Sequence, residues 1–109
     1  MAVVTHNKLV RDKIPEIIKN DGRICETEIL SDDDYLAMLD AKLDEELNEY
    51  HKDQNIEELA DLMEVIYAVA EARGYSIEQL EAVRKEKAEK RGAFKEKVFL
   101  KTVQVQLLT

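Results

Sequence analysis

Apolar positions along this chain fall mostly at helical spacing, and the polar interruptions mark where helices start and stop. Ile14, Ile17 and Ile18 make a short stripe; Pro15 suits a first turn and Gly22 a stop, so a helix is predicted over about residues 13 to 21. Leu36, Leu39, Leu43, Leu47 and Tyr50 make a longer stripe. Ser31 stands ahead of it as a capping hydroxyl, and Asp32, Asp33 and Asp34 suit the positive end of a helix dipole. His51 to Asn55 break the pattern, and Asn55 with Glu58 three residues on predicts a new capped start. From Leu59 to Ala72 this third helix is apolar around most of its circumference, the pattern of a helix covered on several sides. It is expected to run to about Arg73, with Gly74 as its stop. Ser76 opens a fourth helix, about residues 77 to 91, closed by Gly92 and apolar at Ile77, Leu80 and Val83.

Two stretches depart from helical spacing. Ile24 to Leu30 alternates in part, with Glu26 and Glu28 on one face and Cys25, Thr27 and Ile29 on the other. Lys97 to Leu107 carries Val98, Leu100, Val103, Val105 and Leu107. A lone strand leaves its backbone groups unpaired, so the two are expected to pair with each other, antiparallel. The predicted fold is mainly α: a compact bundle of about four helices built on a central antiparallel helix hairpin, with a small β pairing of 24–30 with 97–107. It is expected to be a single domain over residues 1–109, which suits the length.

Charge narrows the function classes. Charged residues are 37% of the chain, aromatics 6%, and the net charge is −8. Such acidity disfavours a nucleic-acid polymer or a membrane surface as partner, since both call for basic faces. The longest mainly apolar stretch, Leu59 to Ala72, is too short to span a bilayer and carries Asp61, Glu64 and Glu71. Met1 to Asn7 lack the pattern of a secretion signal, and one cysteine, Cys25, cannot form an internal disulfide. A cytoplasmic protein is expected.

The acids themselves are patterned around the break. Glu46 with Glu49, and Glu58 with Asp61, are pairs three apart, so each projects from one helix face. With a turn at residues 53 and 54, Glu46 sits level with Asp61 and Glu49 with Glu58. Glu46 borders the apolar stripe of its helix, Glu49 lies further round and Glu45 is outermost. Glu58 and Asp61 lie on or beside faces of the third helix that should be buried, where a carboxylate costs several kcal/mol unless paired or metal-bound. Singly, each acid has an ordinary explanation as a solvated helix face, a cap or an ion pair. Together they would repel unless a cation intervened. Oxygen-only donors suit Mg²⁺, with Mn²⁺ as a substitute, whereas zinc lacks its ligands because His6 and His51 are isolated. The aspartates at 32–34 serve capping better than a calcium loop, which would require a central glycine. Basic residues gather before the first helix at Lys8, Arg11 and Lys13 and late in the fourth at Lys87, Lys90 and Arg91. A solvated entry to one helix and a dipole complement in the other explain them without function.

The pattern Glu45-Glu46-x-x-Glu49, a spacer, then Glu58-x-x-Asp61 resembles the E-E-x-x-E…E-x-x-D signature of the MazG-like, all-α nucleoside triphosphate pyrophosphohydrolases. Asn7 to Pro15 and Lys90 to Phe94 resemble a compact branch of that superfamily, the phosphoribosyl-ATP pyrophosphohydrolase-like house-cleaning enzymes. The likeness covers nearly the whole chain; Ala93 departs from it, standing where a second glycine is expected beside Gly92. It implies hydrolysis of a nucleotide between the α and β phosphates, giving a monophosphate and pyrophosphate. By the same likeness Glu46, Glu49, Glu58 and Asp61 would hold Mg²⁺, and Glu45 would take a second metal or act as base. Lys8, Arg11, Lys13, Lys87, Lys90 and Arg91 are the phosphate-binding candidates, and the apolar third helix would pack on a second subunit in a homodimer or higher oligomer. Two alternatives stand beside this: phosphoribosyl-ATP hydrolysis in histidine biosynthesis, and a non-enzymatic acidic helical interaction module. No base-recognition pattern is legible; Tyr67, Tyr75 and Phe94 are read first as packing residues.

Overall fold

The computed structural model describes residues 2–107, and four helices account for its regular structure: α1 (Ile14–Asn20), α2 (Asp32–Asp53), α3 (Ile56–Ala72) and α4 (Ile77–Arg91). The chain divides into two compact units, residues 1–77 and 78–109. No helix among the described residues is long and apolar enough to cross a membrane.

Local chemistry sets the helix ends. Pro15 lies in the first turn of α1, and Gly22 follows the helix at a positive φ of 78°. The Ser31 side chain accepts from the Asp34 N–H at 3.2 Å, and Asn55 Oδ1 accepts from the Glu58 N–H at 2.9 Å. Each satisfies a backbone donor that has no partner inside its helix. At the end of α3, the Tyr75 N–H returns to the Ala70 carbonyl at 2.9 Å, and Gly74 takes the left-handed conformation this closure needs, at φ 91°. α2 outlasts its expected break. His51 to Asp53 remain helical, and the turn is only Gln54 and Asn55, with Gln54 left-handed at φ 51°. The short turn folds α3 back against α2.

In the first unit, α2 and α3 are the helices that pack on each other. Leu39 of α2 and Ala70 of α3 are the buried apolar side chains, and Arg73 reaches Asp40 at 3.6 Å across the end of the hairpin away from the turn. The expectation that α3 is covered on several sides is not met among the described residues of the first unit, where α2 is the helix that packs on it. Ile56, Leu59, Met63 and Ile66, spaced as a single helical stripe, remain 80%, 45%, 50% and 38% exposed.

The expected β pairing is also absent: among the described residues no strand occurs, and neither 24–30 nor 97–107 forms a ladder. Alternation records which side chains face inward, and a chain laid along a helix can satisfy it without strand partners. Cys25, half-buried, places its thiol 3.9 Å from the Pro15 carbonyl, so the segment after α1 folds back beside that helix. Ile24 and Ile29 point outward and Leu30 inward, which is not strict alternation. In the second unit, Val98, Phe99, Leu100, Val103, Val105 and Leu107 are exposed on chain without regular structure.

Candidate metal centre

The turn end of the hairpin gathers carboxylates from both helices. One oxygen each from Glu46, Glu58 and Asp61 lie within 4.8 Å of one another, and all three residues are half-buried. A second group, Glu49, Asp53 and Glu58, meets the same limit but is mostly exposed. Both cross-hairpin pairs expected from the spacing, Glu46 with Asp61 and Glu49 with Glu58, are therefore near neighbours, and Glu58 belongs to both groups.

Electrostatics distinguish these acids. The Glu58 carboxyl is pushed above the usual carboxylate range by partial burial, and by the Asp61, Asp53, Glu49 and Glu46 charges. Glu45 goes the other way. Partial burial acts to raise it, but the Lys8 hydrogen bond, then the charge and hydrogen bond of Lys42, outweigh that and hold it low. Lys42 Nζ stands 3.3 Å from Glu45 Oε2 and 3.5 Å from Glu46 Oε1, so it bridges the two. No residue of the described chain forms a salt bridge to Glu58 or Glu49.

The basic segment before α1 reaches this end of the hairpin. Lys8 Nζ donates to Glu45 Oε1 at 3.0 Å, and Arg11 Nη2 to Asp61 Oδ1 at 2.6 Å. The hydrogen bond to Glu45 raises the Lys8 ammonium above its ordinary range, its charge adds, partial burial opposes, and Glu46 and Glu49 contribute further. Lys13 is the N-cap residue of α1, exposed and without an ion pair among the described residues. Lys87, Lys90 and Arg91 belong to the second unit, where Lys90 pairs with Glu86 at 2.8 Å. Tyr75 and Phe94 are exposed rather than packed, while Tyr67 is half-buried.

Two members of the site escaped the sequence reading. Lys42 carries a signal, being three and four residues before Glu45 and Glu46, the spacing at which helical ion pairs form. Asp53 was assigned to the break; once the helix continues through it, it lies one turn beyond Glu49 on the same face.

No protein-family model matches the chain, and no solved structure matches it. Over 42 residues it is 60% identical to a protein of Mycolicibacterium smegmatis described only as uncharacterized. That stretch is 38% of this chain and 43% of the relative, so the chain matches less than half of that protein's length.

The donor set is chemically coherent: carboxylate oxygens from facing helices, without thiolate or imidazole. It is suited to a hard divalent cation and unsuited to zinc.

Proposed function

We propose that the chain is a Mg²⁺-dependent nucleoside triphosphate pyrophosphohydrolase of the MazG-like kind, cleaving between the α and β phosphates to give a monophosphate and pyrophosphate. The observation that carries the proposal is the convergence of Glu46, Glu58 and Asp61 oxygens within 4.8 Å across the hairpin. Three half-buried carboxylates at that separation repel, and a divalent cation relieves the repulsion. The nucleotide substrate rests on the sequence resemblance, with noncanonical nucleotides as the expected class.

Glu46, Glu58 and Asp61 would hold the cation, with Glu49 and Asp53 beside them for a second. When bound, Mg²⁺ neutralises charge on the phosphate oxygens and helps orient the attacking water. Lys8 and Arg11, reaching the acids from the segment before α1, and Lys42 from α2 itself are the basic side chains beside them. Lys8 and Arg11 would supply the remaining positive charge toward the substrate phosphates. Glu45 serves poorly as the proton acceptor, because Lys8 and Lys42 hold its proton affinity low and a base works best with a pKa near the working pH. It is better suited to positioning Lys8.

The exposed stripe of Ile56, Leu59, Met63 and Ile66 favours a second copy of the chain as partner, giving a homodimer or higher oligomer. The same stripe is what a non-enzymatic interaction module would present, so activity must decide. Glu46→Gln and Asp61→Asn are expected to abolish turnover across a panel of nucleoside triphosphates and phosphoribosyl-ATP, with helical content unchanged. Full activity in both variants would remove these carboxylates from the mechanism. Turnover confined to phosphoribosyl-ATP would assign the chain to histidine biosynthesis.

A further inference from the structure

The segment from Asn7 to Lys13 is joined to the hairpin at two points far away in sequence. Lys8 is bound to Glu45 on α2 at 3.0 Å, and Arg11 to Asp61 on α3 at 2.6 Å. Leu9, between them, is half-buried, while its neighbours on either side are exposed. The segment thus lies over the acid-bearing end of the hairpin, with one cation on each helix. Arg11 engages Asp61, one of the three residues whose oxygens converge with those of Glu46 and Glu58. A guanidinium and a divalent cation make competing demands on that carboxylate. Each is stabilised by its negative charge, and each repels the other.

We infer that residues 7–13 form a cationic strap that a divalent metal displaces. In the metal-free chain Arg11 acts as an internal counter-cation for Asp61. Metal binding at Glu46, Glu58 and Asp61 frees the guanidinium, which then stands beside the metal as an anion-binding group. This rests on the reading of the three carboxylates as a cation site, and it adds an order of events. Metal binds first and releases the arginine, and only then is the arginine available to a phosphate anion. The Arg11–Asp61 pair is about half exposed, so its competition with a metal is modest. An exposed ion pair alters an equilibrium roughly two- to fivefold. Lys8, bound to Glu45 outside the converging three, exerts the smaller effect.

The inference gives one residue opposite effects on two ligands, which a merely structural contact would not do. Calorimetry with Mn²⁺ alone is expected to show Arg11→Gln binding the metal roughly two- to fivefold more tightly than the wild type. With Mn²⁺ saturating, the same variant is expected to bind inorganic pyrophosphate more weakly than the wild type. Arg11→Lys, which keeps the charge but loses the planar fork, should fall between them in both titrations. Equal or weaker Mn²⁺ affinity in Arg11→Gln, with Mn²⁺ still binding the wild type, would overturn the strap and leave the cation site standing. Mn²⁺ binding by neither protein would overturn the cation site, and the strap with it.

Discussion

Glu58 is the carboxyl on which the site's electrostatics converge. It belongs to both acid groups, and partial burial together with the Asp61, Asp53, Glu49 and Glu46 charges raises its proton affinity. The folded chain therefore binds more protons at Glu58 than the unfolded chain does, and stability falls as pH rises through the folded value. In metal-free buffer, Glu58→Gln is expected to melt at a higher temperature than the wild type at neutral pH. The gap should close as pH drops below the ordinary carboxylate range, where the wild-type side chain is protonated in both states. A thermal melt series from acid to neutral pH checks this; an unchanged or lower melting temperature at neutral pH would contradict it. The cap of α3 is independent of that charge, since Asn55 accepts from the Glu58 backbone N–H. Asn55→Ala is expected to cost about 1 kcal/mol in a denaturant titration.

How much of this could be read from the residues depended on distance along the chain. The caps at Ser31 and Asn55 and the glycine stops were legible because the groups involved lie within a few residues of each other. The facing acids were legible for the same reason: helical spacing and a short turn fix their register. Asp53 was missed because polar residues at 51–53 looked like a break, whereas only the left-handed Gln54 ends the helix. The reach of Lys8 and Arg11 was undecidable, since their partners lie 37 and 50 residues away.

At the level of elements, α2 and α3 pack on each other while an apolar stripe of α3 stays exposed. Periodicity read α3 as a helix covered on several sides, whereas its Ile56, Leu59, Met63 and Ile66 stripe is exposed. It also mistook two stretches without regular structure for a strand pair, because pairing is set by tertiary contact rather than by alternation. The outward stripe on α3 gives a direct test. Burying a side chain of the size of leucine or methionine contributes about 1.5–3 kcal/mol, so charges at two positions of the stripe should dissociate an assembly built on it. Leu59→Glu with Met63→Glu is expected to convert an oligomer to monomer in light scattering, with circular dichroism still helical. A monomeric wild type would contradict that role for the stripe.

For the molecule as a whole, few side chains among the described residues are buried, so anything that binds only the folded chain would add a large share of its stability. A cation that binds only the folded chain should stabilise it by about 2.7 kcal/mol when present at about 100 times its dissociation constant. Mg²⁺ or Mn²⁺ is therefore expected to raise the melting temperature of the wild type and to leave that of Asp61→Asn nearly unchanged. Net charge of −8 makes some non-specific cation binding inevitable, which is why the variant comparison matters. The most direct test of the central claim is identification of the products formed from nucleoside triphosphates in the presence of Mg²⁺. The account predicts nucleoside monophosphate and pyrophosphate in equal amounts, and no product when Mg²⁺ is chelated. Orthophosphate and nucleoside diphosphate as products, or no turnover of any nucleotide, would contradict it.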